Sequence, residues 1–107
     1  MKNKQDYFVG SGNVFDDMGY ANADELLAKA ELALRINSII EKRALTQQQA
    51  ARVLRIDQPK VSALKRGRLS GFSLERLVRF LLLLGRDVRI VVVERRSPRK
   101  QPRLQVA

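Results

Sequence analysis

Cysteine, histidine and tryptophan are all missing from these 107 residues. Without cysteine there is no disulfide, no thiolate ligand and no thiol nucleophile. Without histidine the commonest general base is gone, and with both absent most zinc sites are excluded. The carboxylates are scattered. Asp57 reads as a helix cap, Glu75 as a first-turn residue opposite a helix dipole, and Asp16 and Asp17 as a solvated pair with too few oxygens to hold a metal. The glycines of GSG lack the strand before and the helix after that a phosphate loop requires. Catalysis is therefore not expected, nor any cofactor or metal. Long apolar runs are also lacking. The longest, Phe80 to Leu84, is far short of the ~20 residues of a membrane span, and MKNKQDYFVGSGN has no apolar run behind its lysines, so it does not read as a signal peptide. The expectation is a cytoplasmic protein with no membrane partner. Aromatics amount to four Phe and two Tyr. With Phe72 and Phe80 reading as core, no stacking platform of the kind single-stranded RNA favours remains.

Positive charge is what the chain has in quantity. The formal net charge is +10, and it is unevenly placed. Residues 1–34 carry six acidic and three basic side chains, net −3, and residues 35–107 carry eighteen basic and five acidic, net +13. This is an acidic arm on a basic body. A basic body suits a polyanion, because phosphate contacts release counterions. The 45% hydrophobic content is enough for a modest core, which oligomerisation would help to stabilise.

Residues 1–22 read as an N-terminal acidic arm, with a short strand near Tyr7–Val9 and Phe15 docking on the body. Asn22 or Asp24 can cap a first helix running to about Lys42, with Leu32, Ile36, Ile39 and Ile40 on one face. Thr46 followed by Gln49 has the capping-box spacing, starting a short second helix from Gln47 to about Leu54. Its small Ala50 and Ala51 let another helix pack close. After a break at Arg55 and Ile56, Asp57 caps a third helix with Gln58 and Pro59 in its first turn. Proline is harmless there, because first-turn amides have no partner within the helix. Val61 and Leu64 face inward, and Gly67 can end the helix in a left-handed conformation. Ser73 caps a fourth helix whose inner face is Leu74, Leu77, Leu81 and Leu84, and Gly85 ends it. Val88 to Val93 alternates and is rich in valine, so it reads as a strand. The tail SPRKQPRLQVA has two prolines, basic residues and no periodicity, and reads as disordered. The expected organisation is thus an arm at 1–22, a helical domain at 23–85, a strand at 86–94 and a basic disordered tail at 95–107.

Two short helices joined by a tight turn, with small alanines at their crossing, follow the helix-turn-helix plan. Thr46, Gln47, Ala51, Ile56, Val61, Leu64 and Gly67 resemble the motif of the Xre/Cro-type family of phage and bacterial repressors, over about residues 32 to 84. The segments FDDMGYANADELLAKAELALRI, QPKVSALKRG and LLLLGRDVRIVVV resemble small antitoxin-like members of the HigA type. The resemblance implies a mainly α, compact, lambda-repressor-like bundle, followed here by one C-terminal strand. It implies that the helix after the turn lies in the major groove of double-stranded DNA. Mapped residue by residue, the base-reading positions are Gln58, Pro59, Lys60, Ser62 and Ala63. Gln58 can bond adenine through a bidentate amide and Lys60 can donate to guanine. Thr46, Gln47, Lys65, Arg66 and Arg68 suit phosphates. One departure is plain. Where many members pair a basic residue of the first helix with an acidic one late in the recognition helix, this chain has Ile40 and Lys65, so apolar packing is expected in place of the ion pair.

A single strand leaves its backbone groups unpaired along an apolar edge. Val88, Ile90, Val91, Val92 and Val93 therefore need a neighbour: a symmetry mate in a homodimer, the stretch Tyr7 to Val9, or the sheet of a toxin. The homodimer is favoured, since two recognition helices on a two-fold operator read more sequence than one. The functional expectation is a repressor, and by resemblance the antitoxin of a toxin–antitoxin pair. The competing expectation is a protein-interaction module that neutralises a toxin and has little DNA role of its own.

Overall fold

The structure is a computed structural model, and it describes residues 20–94 and 103–107. The expectations for Tyr7–Val9, Phe15, Asp16 and Asp17 lie outside the described residues. Four helices follow in order: α1 over Tyr20–Lys42, α2 over Gln47–Leu54, α3 over Gln58–Lys65 and α4 over Leu74–Leu83. α1 starts ahead of both expected caps. Ala21 and Ala23 are strong helix formers and carry the helix back past Asn22 and Asp24.

The other three starts are capped as the side-chain chemistry requires. The Thr46 hydroxyl accepts the Gln49 N–H at 3.1 Å, and Gln49 Oε1 accepts the Thr46 N–H at 2.9 Å, closing the capping box. Asp57 Oδ1 accepts the Lys60 N–H at 3.2 Å, and Pro59 sits in the first turn of α3. Ser73 Oγ accepts the Arg76 N–H at 3.1 Å.

The helix ends share one device. Past α3, the Gly67 N–H donates to the Leu64 carbonyl and the Arg68 N–H to the Ala63 carbonyl, with Gly67 at φ +77°. Past α4, Gly85 and Arg86 make the same pair of bonds to Leu82 and Leu81, with Gly85 at φ +86°. These are Schellman turns, which need a left-handed residue. A Cβ at Gly67 would meet nothing within 4 Å, so the glycine serves the backbone angle rather than space. Past α1 the same turn is built on Ala44, φ 54°, and the turn after α2 uses Arg55, φ 62°.

α1 buries Ala28, Leu32, Ala33, Ile36 and Ile39, and α4 buries Leu77, Phe80 and Leu81 against them. Leu54, Leu64, Phe72 and Leu84 complete this core. Phe72 and Phe80 meet edge to face at 5.8 Å, and the Arg76 guanidinium lies 5.6 Å from the Phe72 ring centre. A second cluster of Ala50, Ala51 and Val61 lies where α2 and α3 cross. Ile40 packs against both clusters while Lys65 is exposed. Packing at Ile40 thus agrees with the expectation of apolar contact in place of an ion pair.

The C-terminal part departs from expectation in two respects. No strand ladder forms among the described residues. Val88 packs on the core, but Ile90, Val91, Val92 and Val93 are 68, 67, 86 and 78% exposed. A ladder needs a neighbour, and the described residues offer none at this edge. The second departure is that residues 103–107, assigned by composition to a disordered tail, lie along α1. Asp24 Oδ2 accepts the Leu104 N–H at 3.2 Å, Val106 packs against the core, and Arg35 donates to the Ala107 carbonyl oxygen. Leu104 and Val106 are half-buried and alternate with exposed Arg103, Gln105 and Ala107.

Candidate nucleic-acid interface

α2 and α3 present two helix starts, and their free backbone groups differ. At α2 the capping box occupies the Thr46 and Gln49 amides, and the Ala50 N–H bonds the Thr46 carbonyl. The Gln47 and Gln48 amides remain, and the Thr46 hydroxyl still has a proton to donate. Such a start suits an anionic oxygen. At α3 the Lys60 and Val61 amides both bond Asp57, Pro59 has no N–H, and the Asp57 carboxylate adds negative charge. This start has little to offer a phosphate. What it presents is side chains.

Val61 and Leu64 are 4% and 0% exposed and point into the core. Pro59, Ser62 and Arg66, spaced i, i+3 and i+7, therefore run along the opposite side of α3. Gln58 and Lys60 are exposed beside Pro59 at the first turn. Ser62 and Ala63 are both half-buried, and Ala63 also touches the core. Thr46, Gln47, Lys65, Arg66 and Arg68 are all exposed. Among the described residues no carboxylate forms a salt bridge with Lys60, Lys65, Arg66 or Arg68.

Three contributors escaped the sequence reading. Asn37 Nδ2 donates to the Leu64 carbonyl at 3.2 Å, and the signal for it was a polar residue among Ala33, Ile36 and Ile40. Arg43 donates through Nη2 to the Leu84 carbonyl and joins the ends of α1 and α4. Arg55 holds the turn between α2 and α3 in the left-handed region, where glycine or asparagine is the usual signal. No local feature marks an arginine for that place.

A capped short helix, a left-handed turn and a second capped helix, locked by Ala50, Ala51 and Val61, define a helix-turn-helix protein. Residues 14–93 match the family described as "Helix-turn-helix domain". Among solved structures the chain is similar to a "Putative XRE Family Transcriptional Regulator". The TM-score is 0.74 and the identity 42%, over 80% of this chain and 97% of that one. Comparison with curated protein sequences finds no match. The chain belongs to the helix-turn-helix family of the Xre type.

Proposed function

We propose that this protein is a DNA-binding transcriptional regulator, a repressor that occupies a two-fold operator as a homodimer. The observation that carries the reading is the contrast between the two helix starts. α2 keeps free amides suited to a phosphate, while α3 projects Gln58, Pro59, Lys60 and Ser62 from a start that disfavours one. Backbone contacts position a protein on DNA and base-edge contacts specify the sequence. In this reading Thr46, Gln47, Lys65, Arg66 and Arg68 do the first, and Gln58, Pro59, Lys60, Ser62 and Ala63 the second. The exposed row Ile90 to Val93 supports dimerisation, since an antiparallel copy would satisfy its backbone and cover its valines.

The test is a footprint on the DNA upstream of the protein's own gene. Protection of two inverted half-sites, with centres about one helical turn or a multiple of it apart, is the expected result. Protection that shows no sequence preference would refute it.

A second role has support from α1. Leu26, Leu27 and Leu34 are 55, 61 and 68% exposed and face away from the core. Asp24 and Glu31 flank them, in the acidic part of the chain. An apolar face edged with carboxylates fits a basic protein partner, as the antitoxin reading requires. The same protein then binds its operator through α3 and a toxin through its N-terminal region.

A further inference from the structure

α3 is short, and its C-terminal end is held by bonds from outside the helix. An eight-residue helix leaves its last carbonyls without partners inside the helix. The Leu64 carbonyl is one of them. It accepts the Gly67 N–H at 3.2 Å from the turn that follows. It also accepts a bond from another element, Asn37 Nδ2 of α1, at 3.2 Å. Twenty-seven residues separate the two partners, so this bond joins α1 to the end of α3. A carbonyl can only accept, which fixes the Asn37 amide with its nitrogen toward α3.

Three facts set Asn37 apart. It is half-buried within a face that is otherwise apolar, where Ala33, Ile36 and Ile40 surround it in sequence. Asparagine is a poorer helix former than alanine or leucine, so its place in mid-helix is unexplained by α1 alone. And the carbonyl it holds lies one residue before Lys65 and two before Arg66, with Arg68 beyond the same turn.

We infer that Asn37 is a positioning residue for DNA reading: its amide pins the C-terminal end of α3 to α1. That pin sets the angle at which α3 presents its outer face and the basic residues at its end. The inference rests on the proposed DNA-binding role. Apolar contacts through Val61 and Leu64 hold α3 against the body, but they tolerate small rotations. A hydrogen bond adds a directional restraint to them. Non-specific binding through mobile basic side chains withstands such rotation. Simultaneous contact with base edges and phosphates does not.

The experiment uses the full chain and two DNA probes. One is the duplex that the wild type enriches most from a randomised pool, and the other is poly(dI-dC). Asn37→Leu keeps the branched four-atom shape, removes the donor and favours the helix. It is expected to unfold at or above the wild-type temperature, to lose roughly fivefold in affinity per chain for the enriched duplex, and to bind poly(dI-dC) as before. Asn37→Asp places a carboxylate against a carbonyl at the negative end of a helix and is expected to lose more. Asn37→Gln keeps a donor and is expected to recover part of the loss. Equal losses on both probes would reduce Asn37 to a general structural role and overturn the inference, as would no loss at all. Exchange of the Asn37 side-chain amide protons, followed by NMR without DNA, tests the bond separately. Slow exchange is expected, and exchange at the rate of an exposed amide overturns the pin. If the wild type enriches no sequence, the DNA-reading function fails, and the exchange rate still decides whether the pin exists.

Discussion

At the scale of single residues, the proposed function gives two exposed side chains at the two ends of α3 different roles. Gln58 stands at the first turn, where an amide can reach a base edge. Gln58→Ala is expected to cost about 1–3 kcal/mol on the cognate site and little on random DNA. Arg66 ends the helix, where its guanidinium can meet a phosphate. Arg66→Ala is expected to weaken binding to both DNAs alike and to lower the salt slope by about one per site. A salt titration of both variants on both DNAs separates these effects, and equal losses from Gln58→Ala would remove its reading role. Ala44 provides a test of the backbone instead. It occupies at φ 54° the left-handed place that Gly67 and Gly85 fill elsewhere in the chain. A side chain in that region costs roughly 1–2 kcal/mol, part of which glycine gives back as unfolded-state entropy. Ala44→Gly is expected to stabilise the fold by about 0.5–1 kcal/mol and raise the melting temperature by a few degrees. Gly67→Ala meets no steric obstacle yet is expected to lower it, through φ alone. A thermal melt that moves either variant the other way would contradict this account of the turns.

At the scale of elements, the open question is what covers the segment from Val88 to Val93. Val88 is anchored on the core, and the four apolar residues from Ile90 onward stand exposed. An exposed apolar edge of this length is a template for another strand. Replacing Val91 with proline removes a ladder donor from a residue that contributes nothing to the core of its own chain. It is expected to shift the mass measured by sedimentation from dimer toward monomer, with the helical circular dichroism preserved. A mass unchanged by the substitution would place the dimer contact elsewhere. The tail has the opposite lesson. Leu104 and Val106 have a place on α1 that their proline-rich, basic surroundings conceal, because the place is made by α1 and not by the tail.

At the scale of the whole molecule, the chain divides its charge and its exposed apolar surface between two regions. Lys60, Lys65, Arg66 and Arg68 lie on α3 and in the turn after it, while the acidic stretch 1–34 includes the exposed leucines of α1. If the first serves DNA and the second a basic protein, the two functions can be cut apart. The cut belongs before Tyr20, since α1 contributes Ala28 to the core and Asp24 to the tail contact. Removal of residues 1–19, or Leu27→Glu together with Leu34→Glu, is expected to abolish protection against the product of the adjacent gene in a growth assay. Operator affinity is expected to stay within about twofold, because these changes lie far from α3 in the chain and touch none of the residues proposed to contact DNA. Loss of operator binding in either variant would show that the two regions are not independent. No helix among the described residues is long and apolar enough to cross a membrane.

The sequence by itself determined what depends on near neighbours along the chain. Thr46 with Gln49, Asp57 ahead of Pro59, Ser73, Gly67 and Gly85 are caps and stops that act within a few residues, and each was legible as such. The inward faces of α1, α3 and α4 were legible too, because burial follows helical spacing. Tertiary structure decided whatever depends on a partner distant in the chain. Asn37 could be seen as an odd polar residue, but its acceptor is a carbonyl twenty-seven residues away. Arg55 adopts a left-handed angle because packing of Ala50 and Ala51 on Val61 fixes the crossing of α2 and α3, and this overrides its own preference. Leu104 and Val106 find α1 across 80 residues of sequence. Local rules reach one or two helical turns; beyond that distance only the packed molecule determines which groups meet.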